Sequence, residues 1–149
     1  ESDIRKINLD TVKKFGIPQG PVLRKLQRGE DIIFEGKKIK NSQVTYLKKG
    51  KKVTFILDTR LCNNCYKAAK NADVLVSEST FSEELSDKAK EYKHMTSKDA
   101  ASIAKRSNVK ILILTHFSQR YKDINQLEEE AKKYFKCTQA ARDLMQLEI

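Results

Sequence analysis

Residues 111–115, Ile-Leu-Ile-Leu-Thr, restrict the fold of this chain more than any other stretch. All five are apolar or β-branched, and they lie between Lys110 and the polar run His116-Phe117-Ser118-Gln119-Arg120-Tyr121. So short a run without polar alternation is the pattern of a strand buried on both faces, which needs other elements above and below it. Parallel α/β layers meet that need, and the carboxyl ends of their strands are where ligand chemistry gathers. His116 falls at such an end. Taken alone, a strand-end histidine reads as a hydrogen-bonded structural residue, so its meaning depends on its company.

Two further stretches have the same form. Residues 53–57 read as an apolar strand ending in Asp58-Thr59-Arg60, and 74–76 as another ending in Ser77-Glu78-Ser79-Thr80-Phe81. Helices are expected over 62–71, from 82 to about 92, and after Thr96-x-x-Asp99. That last spacing is a capping box, and the helix it opens carries Ala100, Ile103 and Ala104 on its apolar side. Asp123-x-x-Gln126 reads as the cap of a further helix to about 134, and 144–148 as a final strand. This alternation is that of an α/β layer. Strand ends of one parallel layer lie side by side, so Asp58, Glu78, Thr80 and His116 are expected to converge, joined by His94 from an inter-helix loop. Asp and neutral His suit zinc or manganese, and a Glu beside a second His suits an oriented proton carrier. Yet a catalytic metal takes at least three protein ligands, and the chain has only two histidines. Each residue also has a structural reading: Asp58 and Glu78 as helix caps, His94 as a loop residue, Arg120 as an ion-pair partner.

The amino-terminal third differs. Residues 1–52 hold 14 basic and 6 acidic side chains, and so carry +8 of the net charge of +10. Segregated positive charge is the footprint of a polyanion binder, set against a merely solvated Lys-rich surface. Gly16-Ile17-Pro18-Gln19-Gly20-Pro21 enforces a rigid loop, and a short basic helix over 22–28 ends at Gly29. Short strands are expected over 31–35, 38–40 and 43–47, with a hairpin turn at Glu35-Gly36-Lys37. Apolar residues are so few here that the segment reads as a protruding arm without a core. Cys62 and Cys65 form a lone C-x-x-C with Cys137 apart, too few ligands for a zinc ribbon, and read as reduced thiols. No window approaches the ~18 apolar residues of a membrane span, so a soluble protein is expected. A first residue other than Met marks the expected piece or processed product of a longer chain.

In order along the chain, these motifs resemble the C-terminal half of tRNase Z, the metallo-β-lactamase-fold endoribonuclease family that removes the 3′ trailer from precursor tRNA. The run ending in Asp58-Thr59-Arg60 resembles that family's Gly-Asp-Thr-Arg strand. Ser77-Glu78-Ser79-Thr80-Phe81 resembles His-Glu-Ala-Thr-Phe, and Tyr92-Lys93-His94-Met95-Thr96 resembles Tyr-Gly-His-Ser-Thr. Thr115 to Tyr121 resembles the segment with the last metal-binding His, and residues 16–30 resemble the Gly-Ile-Pro-x-Gly-Pro segment of the arm that grips tRNA. Leu57, Ser77 and Met95 depart from the pattern. The family's His-x-His-x-Asp-His motif and a further ligand His would lie upstream of Glu1.

The resemblance implies an α/β, four-layer αββα metallo-β-lactamase fold, of which residues 53–149 supply the C-terminal half and 1–52 a protruding basic arm. It implies Asp58 and His116 as ligands of a two-zinc site, with manganese or another divalent metal as alternatives, and Glu78 with His94 as catalytic residues. Thr80, Ser118 and Arg120 would hold the scissile phosphate or acceptor end, while Gly20, Pro21, Arg24 and Lys25 of the arm would touch precursor tRNA. The expected partners are that tRNA, an upstream half of the enzyme and a second copy in a homodimer, in the cytoplasm and without a membrane. Two other readings stand: a different phosphodiesterase of the same fold, and a non-catalytic RNA-binding module.

Overall fold

The computed structural model describes residues 1–149, which divide into two compact units, Glu1–Gly50 and Lys51–Ile149. The first runs β1 (Ile4–Ile7), α1 (Leu9–Lys14), α2 (Pro21–Gln27), β2 (Ile32–Phe34), β3 (Lys37–Ile39), α3 (Asn41–Val44) and β4 (Thr45–Lys48). β1 pairs antiparallel with β4, placing Ile7 opposite Thr45, and β2 pairs with β3. Glu35 and Gly36 join β2 to β3 at φ 49° and 74°, so both central residues have the positive φ of the tight turn that matches strand twist. Asn8 caps α1 by accepting the Thr11 N–H (3.1 Å), and Pro21 opens α2, where its missing N–H costs nothing.

Contrary to the expectation of an arm without a core, this unit has one. Val12, Ile17, Leu26, Ile32, Ile39 and Val44 are buried together, with Ile7, Val22, Leu23 and Phe34 packed against them. Each short element contributes only one or two apolar residues, so no local period announces the cluster. The strand expected over 43–47 is divided: residues 41–44 make a helical turn, secured by the Gln43 side chain accepting the Lys40 N–H (2.9 Å).

The second unit runs β5 (Val53–Ile56), α4 (Asn63–Ala69), β6 (Val74–Glu78), a 3-10 turn (Glu83–Leu85), α5 (Ser86–Glu91), α6 (Ser97–Arg106), β7 (Ile111–Thr115), α7 (Asn125–Lys132) and β8 (Thr138–Ala140). Its four strands are all parallel and lie in chain order, β5-β6-β7-β8. Right-handed crossovers in such an order put the connecting helices on one face. On that face Ile56, Leu75, Leu112 and Leu114 bury against Cys65 and Ala69 of α4, Ala100, Ile103 and Ala104 of α6, and Ala131 of α7. The opposite face carries the row Phe55, Val76, Ile113 and Gln139, and at its β5 edge Val53 and Phe55 stand 41% and 66% exposed.

The Thr96/Asp99 capping box is present at the start of α6. Elsewhere the boundaries move. The expected helix from 82 is broken into the 3-10 turn and α5, and α7 begins at Asn125 with Asp123 accepting the Asn125 N–H (2.9 Å) instead of forming a box with Gln126. The last strand is 138–140, not 144–148. It borrows its place from the free edge of β7, and the Ala141 N–H to the Leu114 carbonyl (2.7 Å) closes the ladder. No helix is long and apolar enough to cross a membrane.

Candidate active site

Parallel register places the three polar clusters at one end of the sheet. Asp58 follows β5, Glu78 is the last residue of β6, and His116 directly follows β7, where Glu78 pairs with Thr115. The loops beyond β6 and β7 stay bonded to each other through the Ser79 N–H to the Thr115 carbonyl (2.8 Å) and the Ser118 N–H to the Thr80 carbonyl (3.2 Å). Asp58 and His116 both adopt left-handed backbone, φ 53° and 58°. Asp and His tolerate this region better than most residues, at a cost of about 1–2 kcal/mol, and such outliers gather at functional sites.

Glu78 is the hub. Its side chain is completely buried and accepts four hydrogen bonds. Oε1 takes the Thr59 N–H, while Oε2 takes the Thr80 hydroxyl (2.9 Å), the Met95 N–H (3.0 Å) and His94 Nδ1 (3.0 Å). A buried carboxylate survives only with such compensation. The four donors come from the loop after β5, the loop after β6 and the turn between α5 and α6, so one side chain fixes all three.

Protons then sort themselves along the chain of contacts. With its one hydroxyl proton given to Glu78, Thr80 can only accept from His116, whose Nδ1 lies 2.9 Å from the same oxygen. His116 is thereby held as the Nδ1–H tautomer with its Nε2 lone pair turned outward. His94, donating through Nδ1 to Glu78, likewise keeps Nε2 for other work, and the two rings are 5.3 Å apart. The Asp58 carboxylate lies 3.7 Å from His94 Nδ1 and is 78% exposed. Thr80, expected to face a phosphate, is buried instead with its hydroxyl occupied by two protein partners.

Glu78, His94 and His116 offer ligand atoms within 4.8 Å of one another, but three of the four hydrogen bonds that Glu78 accepts fall on Oε2, and His94 Nδ1 is itself engaged there. That trio does not fit a cation. Asp58, with an exposed carboxylate, and His116, with a directed Nε2, do fit as divalent-metal ligands, one short of the minimum that a protein site supplies. Ser118 and Arg120 sit together on the loop after His116: Arg120 Nε donates to Ser118 Oγ (2.9 Å) and its guanidinium lies 4.9 Å from the Phe81 ring centre. Tyr121 anchors this loop by accepting the Ser82 N–H (2.7 Å). Gly20, Pro21, Arg24 and Lys25 belong to the first unit, where Arg24 and Lys25 are exposed on α2.

Several participants carry no sequence signal. The Thr59 and Met95 contributions are backbone N–H groups, which any residue supplies. Met95 replaces a family serine without loss of that bond, its side chain lying in the core. Leu57 is exposed, and the buried Ser77 hydroxyl donates to the Glu78 carbonyl (3.1 Å). Arg60, Lys90 and Lys98 line a cleft of ≈ 440 Å³ beside His94. There the Lys98 ammonium, and then the Tyr134 hydroxyl, hold the Glu83 carboxyl below its usual range, and Glu83 in turn raises Lys98.

No family model matches the chain. Among curated proteins it is 46% identical over 153 residues to the Ribonuclease Z of Archaeoglobus fulgidus, covering 100% of this chain and 50% of that protein. It is 44% identical over 147 residues to the Ribonuclease Z of Enterococcus faecalis, covering 97% and 47%. The chain thus spans about half the length of the curated relatives it matches. Among solved structures, the metallo-β-lactamase fold protein YhfI from Bacillus subtilis matches 75% of this chain and 44% of its own at a TM-score of 0.57 and 24% identity, a likeness of fold alone. The human tRNase Z, short form, matches 68% of this chain and 36% of its own at a TM-score of 0.50 and 31% identity.

Proposed function

We propose, from the premise that this chain is a homologue of ribonuclease Z with part of the metallo-β-lactamase fold, that it is the C-terminal half of a zinc-dependent endoribonuclease removing the 3′ trailer from precursor tRNA. The observation that carries this reading is the Glu78 carboxylate, which orients His94 and, through Thr80, His116. In its protonated form His94 hands the Nε2 proton to the departing oxygen of the trailer, while Glu78 keeps Nδ1–H in place and offsets the charge. Asp58 and His116 would hold metal together with ligands of the upstream half, and divalent ions there would supply water activation and charge stabilisation at the phosphate. Ser118 and Arg120 position that phosphate, Arg120 through the guanidinium nitrogens not committed to Ser118.

The upstream half, carrying His-x-His-x-Asp-His, adds the second sheet of the sandwich. The exposed Val53 and Phe55 support this assignment, since an apolar sheet face of this kind is stable only when covered. Residues 1–52 grip the tRNA by shape and backbone charge, with Gly20, Pro21, Arg24 and Lys25 at the contact, and the enzyme acts as a cytoplasmic homodimer. The test is to assemble the chain with an upstream half and measure both zinc content and trailer cleavage. Asp58→Ala is expected to abolish cleavage. An assembled pair that holds no zinc and does not cleave overturns the enzyme reading and leaves the non-catalytic RNA-binding reading, which the count of two histidines favours. An Asp58→Ala pair that still cleaves overturns the assignment of Asp58 as a metal ligand.

A further inference from the structure

The Cys62-x-x-Cys65 pair takes no part in that mechanism, and its two sulfurs live in opposite surroundings. Cys62 stands at the cap position before α4 and is exposed, whereas Cys65 is buried in the core of the second unit. Their Sγ atoms are 3.6 Å apart, and Cys65 Sγ also lies 3.9 Å from the Arg60 carbonyl. The backbone N–H of Cys65 first, then the Cys65 thiol, the Asn64 N–H and the charge of Arg60, lower the Cys62 thiol below its usual range. Burial pushes the Cys65 thiol up. An accessible, readily ionised sulfur next to a hidden one that ionises late is the division of labour between an attacking and a resolving thiol.

We propose that Cys62 and Cys65 form a redox modification site that closes to an intramolecular disulfide with a small-molecule disulfide of the glutathione class as oxidant. The Cys62 thiolate attacks one sulfur of the oxidant, whose S–S bond breaks and releases the first small thiol. Cys65 then loses its proton to solvent and attacks the Cys62 sulfur, and the mixed disulfide releases the second small thiol. Two protein thiols are oxidised and one small disulfide is reduced to two thiols, so two electrons and two protons are accounted for. A closing movement of about 1.6 Å, from the observed separation to the ~2.05 Å of an S–S bond, is small for side chains one helical turn apart. The bond would close in the segment leading out from Asp58, and the proposal does not depend on the function assigned to that residue.

The chain's own sequence makes the test clean. Trypsin cuts after Arg60 and Lys67, so both cysteines fall in residues 61–67, away from Cys137. The reduced protein is equilibrated with mixtures of reduced and oxidised glutathione, quenched in acid, alkylated, digested and weighed. The expected result is a 61–67 peptide that has lost two hydrogens and resists alkylation as the mixture becomes oxidising, with recovery in dithiothreitol and Cys137 still alkylated. In the reduced protein Cys62 should alkylate at least about tenfold faster than Cys65. Cys65→Ser should trap a glutathione adduct on Cys62, and the surface variant Cys62→Ser, which leaves the core untouched, should abolish loss of the two hydrogens. A natively folded wild type that keeps two alkylatable thiols in 61–67 at every ratio overturns the proposal, as does a disulfide joining either cysteine to Cys137.

Discussion

At the scale of single residues, Thr80 is the one whose placement most changes its meaning. A strand-end threonine beside a carboxylate reads as a phosphate holder, but its oxygen lies between Glu78 and His116 at 2.9 Å from each. Its value is then the proton order it imposes. Thr80→Val keeps the shape and removes the relay, and partners that orient a metal-binding histidine are worth about 10- to 100-fold in affinity or activity. We expect zinc affinity of the assembled enzyme to fall by that factor and the His116 ring to lose its single tautomer in nitrogen NMR, with Thr80→Ser restoring both. An unchanged tautomer in Thr80→Val would show the hydroxyl to be incidental. Its neighbour Ser79 is the opposite case: fully buried, with a hydroxyl that has no hydrogen-bond partner. Where tRNase Z has alanine, Ser79→Ala should be neutral or stabilising by about 1 kcal/mol, since it removes an unmet polar group, and urea titration reads this directly.

At the scale of elements, the parallel sheet is tied at both ends by a carboxylate. Glu78 joins the loops at the carboxyl ends of its strands, and Asp73 does the same where the strands begin. Asp73 Oδ2 accepts the Lys52 N–H ahead of β5 (2.8 Å), and Oδ1 pairs with Lys110 ahead of β7 (2.7 Å). The Lys110 ammonium first, and the Lys52 N–H second, hold the Asp73 carboxyl below its ordinary range. A carboxyl depressed on folding contributes stability that is present above its unfolded value and is lost as pH falls through its folded value. Asp73→Asn should therefore be less stable than the wild type at neutral pH, with the two urea midpoints converging as the solution is acidified below the carboxylate range. A gap independent of pH would mean that the charge of Asp73 is irrelevant. Strand 111–115 and the Thr96/Asp99 box were legible because their signals are local, a run of apolar residues and a fixed spacing. Strand β8 was not, because Thr138-Gln139-Ala140 has no apolar period and exists through the edge that β7 offers it.

At the scale of the whole molecule, the chain forms two units with separate cores, and the proposed division of work between them can be tested where the structure is simplest to cut. Because the Asn8 N–H bonds to the Val44 carbonyl (2.9 Å) just beyond the Ile7–Thr45 pair, residues 9–43 can be replaced by a two-residue Asn-Gly turn that leaves the β1–β4 ladder as a hairpin. In the assembled enzyme this should lower precursor tRNA cleavage by more than about a hundredfold, through lost phosphate contacts, while sparing bis(p-nitrophenyl) phosphate. Loss of both activities would make the first unit structural. By itself the sequence determined the α/β alternation, the order of the three strand-end clusters and the segregation of charge, because each is written in neighbouring residues. Only the tertiary structure decided that ten scattered apolar side chains in residues 1–50 form a core, and that Thr80 serves His116. It alone also decided that Asp58 and His116 take left-handed backbone and that Glu78 gathers donors from three loops. Those features rest on groups brought together from distant parts of the chain and on backbone N–H donors common to nearly every residue, so no local pattern of side chains encodes them.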